Sequence, residues 1–146
     1  MSPVARNAWH ALVRRGLRLR SAYARAAVAV DEPGLRSVLE ENAQWLDPLI
    51  AEWRVQGFAA PGKDWPGLHW LRTTHRHVET WRTHAMPRSD AQWIRLLARH
   101  EDALLRSFEQ VLAGAPVELA PLLCRQWPRL NAIHRDMRSL SRAVGC

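Results

Sequence analysis

The sequence predicts an all-helical protein of four long amphipathic helices that pack as a bundle. Apolar residues recur at spacings of three and four along most of the chain, which is the period of one helix face, and alternating strand patterns are absent. Proline, glycine and acidic clusters divide the chain into helical segments. With 146 residues and 47% hydrophobic content, residues 1–146 are long enough to form one domain around one core.

The first predicted helix covers roughly residues 5–30 and has one apolar face. That face is formed by Trp9, Leu12, Gly16, Leu19, Tyr23, Ala26 and Val30. The second helix, roughly 34–56, repeats the pattern with Leu35, Leu39, Asn42, Leu46, Leu49 and Trp53. Pro48 removes one backbone hydrogen bond, but the apolar pattern continues beyond it, so we expect a bend and not an end.

Two further long helices follow in the second half of the chain. The fourth segment, roughly 90–113, starts after Ser89 or Asp90 as N-cap, and its apolar face contains Ile94, Leu97, Glu101, Leu104, Phe108 and Val111. The last segment, roughly 116–143, has Pro116 suited to its first turn and Pro128 expected to kink it. Its face contains Leu119, Leu123, Gln126, Leu130, Ile133, Met137, Leu140 and Val144.

A shorter and more polar helical segment, roughly residues 67–86, lies between the second and fourth helices. An up-down-down-up bundle needs a long crossover connection at this place in the chain. The sequence therefore predicts a ferritin-like four-helix bundle with a short helical crossover segment.

Short motifs lie along residues 16–140. Those in the first half are Tyr23-Ala24-Arg25-Ala26-Ala27, then Val30, Asp31, Pro33, Leu35, Glu52 and Gly57. Those in the second half are His75-Arg76, Arg99-His100-Glu101-Asp102, Phe108, Leu122-Leu123, Gln126 and His134. Together these motifs resemble a family of small, largely uncharacterised bacterial ferritin-like proteins, a domain of unknown function. The resemblance implies the fold and little mechanism, because the family's biochemical role is itself poorly established.

The wider ferritin-like group holds two iron or manganese ions with a Glu on each of two helices and a Glu-x-x-His on each of the others. Here Gly16 occupies the place, seven residues before Tyr23, where metal-binding relatives commonly carry a Glu, and Asn42 and Asn131 replace the Glu of the two motifs. Our first expectation is therefore no cofactor. The alternative is iron or manganese held by Glu41, Glu101 and His134.

Glu101 interrupts an apolar helix face, where an isolated ionised carboxylate would be costly. We therefore expect Glu101 to find a hydrogen-bonding or cationic partner or to take up a proton. The sequence predicts a polar core cluster at the place of the relatives' metal centre, made of Arg20, Tyr23, Asn42, Glu101, Gln126 and His134.

The net charge of +7 is concentrated at the start of the chain. Residues 1–30 contain six arginines and no acidic residue, so the other 116 residues carry only +1. Arg14, Arg18 and Arg25 lie opposite the apolar face of the first helix, where they form either a solvated surface or a site for an acidic partner or nucleic acid.

Cellular location and function are predicted from weaker signals. Two cysteines are too few for a disulfide scaffold, Cys124 is expected to be a core thiol, and no signal peptide or membrane span is evident, which favours the cytoplasm. No nucleophile motif or phosphate loop points to an enzyme. We predict a non-catalytic interaction or stress-associated protein, with eight tryptophans favouring a homodimer. Metal binding and polyanion binding are the alternatives.

Overall fold

The computed structural model describes residues 2–58 and 89–145, and these residues form four α-helices and no strand. The helices are α1 (Pro3–Ala29), α2 (Pro33–Phe58), α3 (Asp90–Ala113) and α4 (Ala120–Gly145). The predicted all-α class is therefore confirmed. The helix predicted at 67–86, and with it the crossover, lies outside the described residues.

Side-chain caps explain where two of the helices begin. The hydroxyl of Ser2 accepts a hydrogen bond from the backbone N–H of Ala5 at 3.1 Å, at the start of α1. Ser89 and Gln92 form a reciprocal capping box before α3, so Ser89 and not Asp90 is the N-cap. Each cap satisfies backbone donors that the first helical turn leaves without partners.

The start of α4 differs from the predicted start at residue 116. The carbonyl of Pro116 does accept a hydrogen bond from the N–H of Ala120 at 3.2 Å. Pro121 has no N–H, so it cannot donate to the carbonyl of Val117, and the regular helix begins only at Ala120. Pro48 and Pro128 lie inside α2 and α4, and both helices continue through them.

The contacts of Asp90 establish the direction of the helices. Its carboxylate accepts hydrogen bonds from the backbone N–H groups of Asp31 and Glu32 at 3.1 and 3.3 Å. The start of α3 therefore lies beside the turn between α1 and α2, so α2 and α3 point the same way and α1 points against both. Residues 59–88 connect opposite ends of the bundle, and α4 packs against α3 and, less extensively, α2.

The predicted apolar faces of α1, α2 and α3 are buried along their whole length, and the described part of α4's face is buried or half-buried. The largest fully buried side chains are Trp9, Trp53, Tyr23 and Phe108. Cys124 is exposed, so the expected core thiol is wrong. Its position on α4 lies one residue past the buried Leu123, and a rotation of about 100° per residue carries it out of the core.

Candidate functional site

Glu101 of α3 is the one acidic side chain among the described residues that is buried, with 2% of its surface exposed. Neither of its carboxyl oxygens has a hydrogen-bond partner in the described part of the chain. Burial, with smaller contributions from the nearby carboxylates of Asp102 and Asp136, raises the pKa of Glu101 to about 9. Glu101 therefore carries a proton at neutral pH, which is one of the two outcomes expected from the sequence.

His134 of α4 lies between this buried carboxyl group and the surface. Its Nδ1 atom is 3.9 Å from Oε2 of Glu101, and its Nε2 atom is 3.5 Å from Oδ1 of Asp102. Nδ1 of His134 has no hydrogen-bond partner among the described residues. Since the side chain of Asp102 is half-exposed, the three groups form a short polar connection from the core to solvent.

Tyr23 of α1 and Asn42 of α2 add two more buried polar groups. The ion pair between Arg20 and Asp47 joins these antiparallel helices on the outside of the bundle. The hydroxyl of Tyr23 and the amide nitrogen of Asn42 have no hydrogen-bond partners in the described part of the chain. Each of the four helices therefore contributes a buried or largely buried polar side chain.

Gln126 of α4 belongs to a separate hydrogen-bonded chain that joins α2 to α4. The indole N–H of Trp53 donates to Oε1 of Gln126 at 2.9 Å, and the amide nitrogen of Gln126 donates to Oε2 of Glu52. Glu52 is exposed, so this chain also connects the core to the surface. Because its donors and acceptors are paired, it holds the two helices in one register.

Arg20 does not join the polar cluster. Its guanidinium pairs with Asp47 at 3.0 Å on the outside of the bundle, where 43% of its side chain is exposed. Arg20 lies at the edge of the α1 face that meets α2, so its long side chain reaches solvent while its stem stays on the bundle. Glu101 consequently has no arginine partner and is neutralised by a proton.

The three candidate metal ligands do not come together. Glu41 is exposed on α2 and accepts a hydrogen bond from the indole of Trp45 at 3.4 Å, whereas Glu101 is inside the core. Within residues 2–58 and 89–145, no three His, Cys, Asp or Glu side chains are placed to hold one ion. A Cβ atom at Gly16 would lie 3.0 Å from Cζ3 of Trp53, so the indole fills the space beside Gly16. The side chains of residues 2–58 and 89–145 do not fit a di-metal centre.

The sequence did not point to Asp102, Glu52 or Trp53 as members of these networks. Asp102 directly follows Glu101, and Glu52 directly precedes Trp53. Their place beside residues that the sequence predicts to be buried was the one indication that they belong to these networks. Their roles depend on how α4 is rotated against α2 and α3.

Over residues 2–58 and 89–145, the fold and the site define an all-α protein of four helices with polar side chains buried among them. Comparison with models of protein families, with curated proteins and with solved structures gives no match for this chain. Within the described ranges, no helix combines the length and apolar character that crossing a bilayer requires.

Replacing Gln126 by Leu should lower the free energy of unfolding by about 1–3 kcal/mol, because the buried N–H of Trp53 loses its acceptor. Urea unfolding of Gln126→Leu, Trp53→Phe and the double variant measures the coupling between the two side chains. We expect the double variant to lose less than the sum of the single losses. Simple additivity would show that this hydrogen bond contributes nothing to stability.

Proposed function

We propose that this chain is a ferritin-like bundle protein that acts through non-covalent interactions and not through catalysis. Its polar core stands where metal-binding relatives keep their metal centre. The parallel directions of α2 and α3, joined through residues 59–88, support the ferritin-like topology because that topology requires a long crossover at this point.

The observation that carries this proposal is the burial of Glu101 without a hydrogen-bond partner among the described residues. A carboxyl group must be ionised to ligate a metal, so an ion at this place competes with a proton whose pKa is about 9. His134 lies beside Glu101, but no three His, Cys, Asp or Glu side chains of the described residues are placed to hold one ion, and the side of α1 is closed by Trp53 against Gly16. A transition metal held by two protein side chains lacks the ligand density of a ferritin-like centre.

Elemental analysis tests this proposal directly. The protein should be purified without an affinity tag from cells supplied with iron and manganese, beside the Glu101→Gln variant as a matched control. We expect far less than one metal ion per chain in both proteins. About one or more iron or manganese ions per chain in the wild type, lost in Glu101→Gln, would overturn the proposal in favour of an atypical metal centre.

The homodimer, the cytoplasmic location and the stress-associated role stay predictions from the sequence. Light scattering of the purified protein tests the first of them, because a dimer has twice the 16.7 kDa mass of the chain. The tryptophans of residues 65–81 on which the dimer prediction rests lie outside the described residues.

A further inference from the structure

The outer side of α1 is almost entirely arginine over its central three turns. The exposed or half-buried positions between residues 14 and 25 are Arg14, Arg15, Arg18, Arg20, Ser21, Ala24 and Arg25. Arg15 turns toward α3 and Arg20 toward Asp47 of α2. Arg14, Arg18 and Arg25 lie on the side of the helix opposite its buried face.

The structure adds Arg99 of α3 to the arginines on this side of the bundle. Arg15 donates to the carbonyl of Ala103 at 3.2 Å and to the hydroxyl of Ser107, and these bonds hold α3 beside α1. His100 of α3 is half-buried next to the same seam, and Arg99 precedes it in the chain.

The pKa of His100 is lowered by burial and by the positive charges near it. Burial lowers this pKa first, and Arg18, Arg25 and Arg99 lower it further through their positive charges. Arg18 and Arg25 of α1 and Arg99 of α3 therefore lie near one imidazole. We call Arg14, Arg18, Arg25 and Arg99 the basic face.

We propose that the basic face binds the phosphate backbone of duplex nucleic acid. Arg14 and Arg25 are separated along α1 by about 16 Å, a length over which a duplex presents several phosphates. A guanidinium presents five N–H donors in a planar fork that matches the geometry of phosphate oxygens. This inference rests on the proposed interaction role and names the partner of that role.

The composition of the basic face favours nucleic acid over a lipid surface or an acidic protein. A helix that binds a membrane surface inserts large apolar side chains, but between Arg14 and Arg25 α1 buries its own in the core, and only Ser21 and Ala24 separate the arginines there. Stable protein interfaces depend on buried aromatic or aliphatic anchors, and none lies between Arg14 and Arg25 on this face. A row of guanidinium groups on a rigid helix suits a row of phosphates.

The test compares two triple variants that lose the same charge from different faces. The first carries Arg14→Gln, Arg18→Gln and Arg25→Gln. The matched control carries Arg125→Gln, Arg129→Gln and Arg138→Gln, which replaces three exposed arginines of α4. Fluorescence anisotropy with a labelled duplex of about 20 base pairs measures binding between about 50 and 200 mM salt.

We expect the wild type to bind the duplex at low salt with affinity that falls steeply as salt rises. The basic-face variant should bind at least about tenfold more weakly, with a salt slope shallower by about 3, because each lost phosphate contact removes about 0.9. The α4 control should keep the slope and stay within about threefold of the wild-type affinity. Arg99→Gln alone should give a smaller loss of the same kind, and circular dichroism verifies the fold of each variant.

Three results would overturn the proposal: no duplex binding at the lowest salt, equal losses in the two triple variants, or tighter binding to vesicles containing phosphatidylserine than to DNA. If the basic-face variant does not fold, Arg99→Gln and the salt slope of the wild type decide the question. Metal content is measured separately, so a metal-loaded protein that binds DNA would refute only the polar-core proposal. A metal-poor protein that does not bind DNA would refute only the proposal for the basic face.

Discussion

The free energy of unfolding should fall steadily as pH rises from about 4.5 to about 9, because the unfolded chain ionises Glu101 at a lower pH than the folded chain does. Its pKa is raised from 4.5 to about 9 on folding. Below pH 4.5 the group is protonated in both states, so its burial carries no ionic cost. Between 4.5 and 9 the folded chain holds a proton that the unfolded chain has released, and rising pH favours unfolding. The full window corresponds to about 6 kcal/mol at about 1.4 kcal/mol per pH unit.

Urea unfolding of the wild type and of Glu101→Gln between about pH 6.5 and 9 measures this effect. The wild type should lose about 3 kcal/mol across that range, whereas the variant, which keeps the shape without the titration, should lose far less. The pKa values of His10 and His100 are both lowered, so these groups titrate below the window. Parallel pH profiles for the two proteins would show that the titration of Glu101 does not cause the loss of stability.

Replacing Gly16 by Glu, the residue that the sequence resemblance to metal-binding ferritin-like proteins predicts at this place, should destabilise the bundle by more than about 4 kcal/mol. A Cβ atom there would lie 3.0 Å from Cζ3 of Trp53 and 3.1 Å from Cγ1 of Ile50, and both side chains are fully buried. Overpacking costs about 1–3 kcal/mol, and a further carboxyl group without a partner adds several more.

Gly16→Ala is the matched control for this change. Its methyl group meets the same crowding, but alanine gains about 1 kcal/mol of helix propensity over glycine, so we expect a net loss of at most about 2 kcal/mol. Thermal and urea unfolding compare the two variants. A stable Gly16→Glu protein that takes up stoichiometric iron or manganese would mean that Trp53 can leave this place and that the bundle can hold a metal centre.

The helices and their buried faces could be predicted from the sequence because both depend on local spacing. An apolar stripe with a period of 3.6 residues buries every residue that lies within it, including the polar ones. Helical spacing alone therefore predicts that Asn42, Glu101 and Gln126 lie in the core. All three are buried. Local sequence also identified Ser89 as a candidate N-cap. The predicted start of the last helix was wrong, because the missing N–H of Pro121 interrupts the first turn of α4.

The partners of the polar side chains were decided by the tertiary structure. Arg20 pairs with Asp47, not Glu101, and Gln126 joins Trp53 to Glu52, because the rotation and register of each helix bring different atoms within 3 Å. Hydrogen bonds require distances and angles that a shift of one residue abolishes, whereas burial tolerates such a shift.

By itself, then, the sequence determined an all-helical chain, the face that each helix buries and the arginine side of α1. Only the tertiary structure decided that Glu101 is neutralised by a proton and not by an arginine, that Trp53 fills the space beside Gly16, and that Arg99 joins the arginines of α1. The physical reason is that helix periodicity is encoded within a few residues, whereas charge balance in a core depends on atoms contributed by helices distant in the chain.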